Sequence, residues 1–259
     1  MPATNKYMEL NISIAPDILF YIRSFPVTNS LIWSLAISGF LIAITFVIRF
    51  SLKTVPGKLQ NITEIIIEES FSFVRSVIGS EEKAKKVFPL FCTLFLFILT
   101  ANVFTFIPGQ AALSLRGGNG PLPVFRAAMA DYGMVLVLTM ISVLTVQIVA
   151  IAVHGPFGYL GKFFNFQSPL KFFLGLMDIV GELAKVLSLS FRLFGNIFAG
   201  EVLGMVMLFL IPFIVPLPFM FLGVLTAVVQ AFVFATLTLV FITLASEIEE
   251  DELVEQASM

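Results

Sequence analysis

Arg192 stands inside VLSLSFRLFGNIFAGEVLGMVMLF, within an apolar segment over 169–211 that also carries Asp178, Glu182, Lys185 and Glu201. An arginine cannot shed its proton, so in an apolar setting its charge stays. Placing one guanidinium near the centre of a bilayer costs roughly 3 kcal/mol on insertion scales. It therefore needs water, a polar contact or a recurring anion, unless it merely snorkels to a surface. The chemistry open to such a group is electrostatic steering of a charge that passes it, not attack on a bond.

At about 100° per helical residue, Lys185, Ser188 and Asn196 lie on or near one stripe with Arg192. Asp178 returns to within about 40° of that stripe and Glu182 to about 80°, while Glu201 faces roughly the opposite side. That spacing disfavours a permanent Arg192–Glu201 pair within one regular helix. The polar groups sit at several depths rather than in one compact metal site. Two carboxylates at different depths around a fixed cation suit proton entry and exit by separate aqueous paths, or the solvation of one internal cavity. Gly195, Ala199, Gly200 and Gly204 keep part of the helix thin, for a second helix, for water or for plain close packing. Gln230, in the last apolar segment, is a neutral hydrogen-bonding group able to face Arg192 across a helix pair.

The elements that position these residues follow from composition. The 259 residues are 58% hydrophobic and 12% charged, with a mean hydropathy of +1.01. Ordinary soluble domains carry about 25% charge, so this chain is expected to be an all-α polytopic membrane protein. A formal net charge of -2 implies no polyanion, and nucleic acid is excluded as a partner class. One Cys and one His rule out a disulfide framework, a clustered cysteine zinc site and any multi-histidine site. Cys92, in an apolar run, reads as packing.

Five spans are predicted: 31–50, 87–108, 131–153, 169–211 and 219–245, the last two long enough to require tilt and forming a hairpin. Pro212, Pro216 and Pro218 punctuate the turn between them. Residues 61–79 alternate Ile65, Ile66, Phe71, Phe73, Val74 and Ile78 with Glu64, Glu68, Glu69 and Arg75, which fits an interfacial amphipathic helix, or a soluble one packed on the same surface. EEKAKK at 81–86 marks a wet boundary. Residues 1–30 are expected to form an irregular surface arm, 31–246 a single membrane domain and 247–259 an acidic tail. The arm lacks the pattern of a secretory signal, so it is expected to be retained. Residues 109–130 read as an external loop, and His154 as interfacial. Basic residues gather between the first and second spans and between the third and fourth, leaving Arg116 and Arg126 in the opposite loop. That bias puts the N-terminus outside and the C-terminus in the cytoplasm or matrix.

Arg192-Leu193-Phe194-Gly195-Asn196, extended to Ala199-Gly200-Glu201, resembles the signature around the essential arginine of the membrane-embedded a subunit of F-type ATP synthases. Asn102 and Pro108, Asp131, and Gln230-Ala231-Phe232 extend the resemblance over most of the chain. It implies two offset half-channels held against a rotating c-subunit ring whose carboxylates pick up and release translocated protons. Arg192 would be the essential charge separator, favouring the ionised ring carboxylate as it passes. Glu201, Gln230, Asn102 and Asp131 would line the outer proton path, Asp178 and Glu182 the inner one, with Ser188, Gly195 and Asn196 supporting the motif. The implied partners are the ring, peripheral-stalk b-type subunits and the other synthase subunits. The implied location is the bacterial inner membrane, or alternatively the mitochondrial one.

The chain has no Gly-rich phosphate loop ending in Gly-Lys-Ser or Gly-Lys-Thr, so catalytic phosphoryl transfer would belong to partners, and no cofactor or metal is expected. The ring ligands that choose between proton and sodium lie outside this chain, and proton is what the resemblance implies. Some relatives carry His in the last helix opposite the family glutamate, whereas Gly223 stands there in this chain. The alternative class is a secondary transporter with a buried charged substrate cavity, which the absence of an inverted sequence repeat disfavours.

Overall fold

Each apolar run becomes a helix because its backbone has no water to bond within a bilayer and must satisfy its own N–H and C=O groups. The computed structural model describes residues 16–54, 56–106, 114–117, 120–123, 126–163, 169–210 and 216–257. A hairpin of β1 (Ile18–Ile22) and β2 (Phe25–Thr28) leads into α1 (Asn29–Ser51), followed by α2 (Lys58–Ile78) and α3 (Glu81–Phe104). A second hairpin, β3 (Ser114–Gly117) with β4 (Gly120–Pro123), precedes a 3-10 turn (Ala128–Ala130). The chain then forms α4 (Tyr132–Phe163), α5 (Pro169–Leu210) and α6 (Pro216–Ala257).

Five of these helices are long and apolar enough to cross a membrane: α1, α3, α4 over Tyr132–Val153, α5, and α6 over Pro216–Ser246. The all-α polytopic architecture read from the sequence is therefore present, with α2 as the sixth helix. Its second half packs through Val74, Phe71 and Phe73, the Phe73 ring lying 5.2 Å from Phe232 of α6. Its first half turns Ile62, Ile65 and Ile66 outward on one stripe. An exposed isoleucine row beside the spans fits the interfacial reading.

The core forms where α3 and α6 pair. Leu94, Ile98 and Ala101 of α3 and Ala231, Phe234 and Ala235 of α6 are buried at helical spacing, and Leu189, Leu193 and Ile197 of α5 close the same cluster. On α5 and α6, Asn196 meets Gln230 while Lys185 meets Phe241. Eleven residues back on one helix match eleven forward on the other, so the pair runs antiparallel.

Local structure departs from the sequence reading at the termini of spans. The N-terminal arm, expected to be irregular, contains the β1–β2 hairpin over its described part. Its last residue, Thr28, caps α1 by accepting from the Leu31 N–H at 3.3 Å. The loop before the third span is not wholly external, since Ala127, Ala128, Met129 and Ala130 are buried. The EEKAKK run is already the start of α3, joined by Glu81–Lys85 and Glu82–Lys86 pairs at helical spacing. Pro216 and Pro218 begin α6 rather than forming the preceding turn, as proline's fixed φ permits in a first helical turn. Pro108, Pro212 and the His154 side chain lie outside the described residues, and α6 continues as helix through most of the expected tail.

Candidate functional site

α5 buries Leu189, Leu193 and Ile197 on one arc and leaves Leu187, Ser188, Phe191, Arg192 and Asn196 exposed on the other. Arg192 thus points out of the described chain. Among the described residues its hydrogen-bond partner is Ser188 Oγ, 3.4 Å from Nη2 and one helical turn away, and it enters no ion pair. Much of the exposed surface of the helix pair is apolar: Phe191 is 55% exposed, and Leu225, Val228, Val229 and Phe232 of α6 are exposed as well. A permanent cation displayed on a greasy face of a spanning helix is unfavourable unless something outside the chain covers it and supplies negative charge.

One turn further along α5, Asn196 Nδ2 donates to Gln230 Oε1 at 2.6 Å. Gln230 therefore meets Asn196 across the hairpin rather than Arg192. Its Nε2 is buried without a partner among the described residues. Among the described residues, nothing beyond the helix's own backbone comes within 4 Å of a Cβ built on Gly195, Gly200 or Gly204. Among the described residues these glycines have no close neighbour, which leaves a thin stretch of helix surface.

Glu201 lies about 14 Å along α5 from Arg192. Its Oε2 is buried without a partner among the described residues, and Arg126 comes close enough to act on its charge. Asn102 is fully buried near the end of α3, with neither amide atom bonded among the described residues. Asp131 behaves differently. Its Oδ1 accepts from the Gly133 N–H at 2.9 Å, capping α4, and its Oδ2 accepts from Ser30 Oγ at 2.5 Å. Those contacts tie α4 to the start of α1.

The matter of Gly223 is steric. A Cβ at this position would lie 2.6 Å from Cε1 and Cζ of Phe106. The phenyl ring fills the space that a larger residue on α6 would need.

Glu182, of the two inner-path candidates, stands in a hydrogen-bond network that the sequence did not reveal, with the Asp178 charge acting on Tyr159 at its edge. Glu182 Oε1 accepts from Lys185 Nζ at 2.6 Å, and Oε2 accepts from Gln147 Nε2 of α4 at 2.7 Å. Tyr159 donates its hydroxyl to Gln147 Oε1. Lys185 also sits 5.3 Å over the Phe241 ring. Tyr159 reaches inward because α4 breaks at Gly155 (φ 73°, ψ 157°), beyond which Pro156 starts a further helical stretch. The Tyr159 phenol is held above its ordinary range by burial, then by the Glu182 and Asp178 charges, so it remains a donor. Gln147 was visible as the one amide in the third span. Its partners were not, because the break in α4 decides them.

A polytopic α-helical membrane protein with an outward-facing intramembrane cation and buried polar groups on either side of it is the class these features define. Residues 31–243 match the ATP synthase A chain family. ATP synthase subunit a of Moorella thermoacetica is 31% identical over 229 residues, 88% of this chain and 95% of that protein. The Geobacter sulfurreducens subunit a is 37% identical over 205 residues, covering 78% and 80%. The Campylobacter jejuni subunit a is 35% identical over 203 residues, covering 77% and 82%. The chain belongs to the ATP synthase subunit a family.

Proposed function

We propose that this chain is the proton-conducting stator subunit of a rotary F-type ATP synthase in the bacterial inner membrane, holding two half-channels against a ring of small c subunits. The observation that carries the reading is Arg192, exposed on the apolar face of α5 with Ser188 as its described partner. Each ring protomer brings a carboxylate to that face. Ionised, the carboxylate is attracted by the guanidinium; neutral, it turns through lipid. Protonating it beside Arg192 would forfeit the Coulomb attraction, so the cation blocks a direct leak from one path to the other.

Glu201, Gln230, Asn102 and Asp131 serve the outer path in this reading and Asp178 carries the inner one, with Glu182 lining it as a fixed charge. Gln230 acts through Asn196, whose hydrogen bond fixes α6 one turn from Arg192. Ser188 accepts from the guanidinium, while Gly195 leaves room for the ring. The basic loops put the C-terminus inside, where peripheral-stalk b-type and other synthase subunits are met. One charge crossing 100 mV releases about 2.3 kcal/mol, so several protons must pass for each costly condensation carried out by partner subunits.

Arg192→Ala in the assembled complex tests this. Coupled ATP-driven proton pumping is expected to vanish while passive leak through the membrane sector rises. Normal pumping would reject the role. Arg192→Lys is expected to fail as well, because an ammonium lacks the planar, broadly spread guanidinium charge.

A further inference from the structure

Resting on the stator reading, the geometry points to a second task beside the inner path: Glu182, positioned by Gln147 and Tyr159, neutralises Lys185 so that Arg192 is the sole cation the ring carboxylate meets. Lys185 lies seven residues before Arg192, within about 20° of its stripe and about 10 Å along the same helix. Its side chain is one third exposed. Left uncompensated, it would offer the passing carboxylate a second resting place on the inner side and hold it ionised after it should have moved on.

Three contacts prevent this. Glu182 takes the ammonium at 2.6 Å, and the Phe241 ring face receives it at 5.3 Å, both drawing Lys185 toward the α4–α6 side of α5. Gln147 holds the other Glu182 oxygen at 2.7 Å, so both oxygens are occupied. The Gln147 amide has one sensible orientation, because its NH2 faces a carboxylate and its carbonyl receives the Tyr159 hydroxyl. Gln147 and Tyr159 are thus positioning residues that act through Glu182, and Glu182 itself works as a counter-charge rather than as a carrier of protons.

A charge-removal rescue in the assembled, membrane-embedded complex separates these roles. Glu182→Gln keeps size and hydrogen bonding but frees the ammonium, and ATP-driven pumping is expected to fall about fivefold, the scale of a partly exposed ion pair. Adding Lys185→Met removes the competing cation, and E182Q/K185M is expected to recover to within about twofold of the unaltered complex. A proton carrier at Glu182 would leave the double variant as slow as E182Q. That result, or undiminished pumping by E182Q, overturns the proposal. Should E182Q fail to assemble, Gln147→Leu with and without Lys185→Met carries the same comparison, with the same rescue expected and its absence decisive. Arg192→Ala run in parallel distinguishes the failures. Lost pumping there with no rescue here removes the counter-charge role alone, whereas intact pumping there removes the stator reading itself.

Discussion

Asn102 sets the problem at the scale of single residues. A fully buried amide with neither atom bonded among the described residues costs about 1–3 kcal/mol, and an apolar side chain of similar size would avoid that cost. Asn102→Leu is therefore expected to raise the thermal midpoint of the complex, by an amount equivalent to about 1 kcal/mol, while slowing proton entry from the outer side. Unchanged proton flux would leave Asn102 without a part in that path. Glu201→Gln is expected to cut flux roughly tenfold, equivalent to about 1.4 kcal/mol, with the complex still assembled. Flux that is unaltered across a pH series would remove Glu201 from the essential route. Arg192 was legible in the sequence because a permanent charge amid apolar residues has no other easy explanation. Arg126 was not, since its approach to Glu201 is made across the fold and its own neighbours in the chain say nothing of α5.

At the scale of elements, helix existence followed from run length and helix ends did not. The spans appear where uncharged stretches require them, whereas α3 begins within the charged run and α6 starts at prolines, because spaced charges and first-turn prolines are both compatible with helix. The break in α4 is the element on which the inner network depends. At φ 73° and ψ 157° Gly155 occupies a region open essentially to glycine alone. Gly155→Ala is expected to cost about 1–3 kcal/mol and to carry Tyr159 away from Gln147, slowing pumping. A thermal midpoint and pumping rate equal to those of the unaltered complex would mean that the break tolerates a side chain. The antiparallel α5–α6 hairpin was foreseeable from its two long runs. The bond between Asn196 and Gln230 was not, because register across a hairpin depends on how the two helices slide and rotate.

Taken whole, the chain displays more apolar surface than its own helices cover, and on one face of it a guanidinium. The prediction at this scale is copurification: mild detergent extraction should bring out the chain with a ring of very small two-span proteins. Saturable solute transport by the chain reconstituted alone would instead favour a secondary transporter. The contact between Phe106, just past α3, and Gly223 of α6 bears on descent within the family. Because the ring edge occupies the ground that a β-carbon at position 223 would claim, a side chain there needs the phenyl group to swing aside. A lineage that installs an imidazole on this helix must first trim or tilt the phenyl group, and one that loses the imidazole acquires room for an aromatic plug, so the two sites should change hands together.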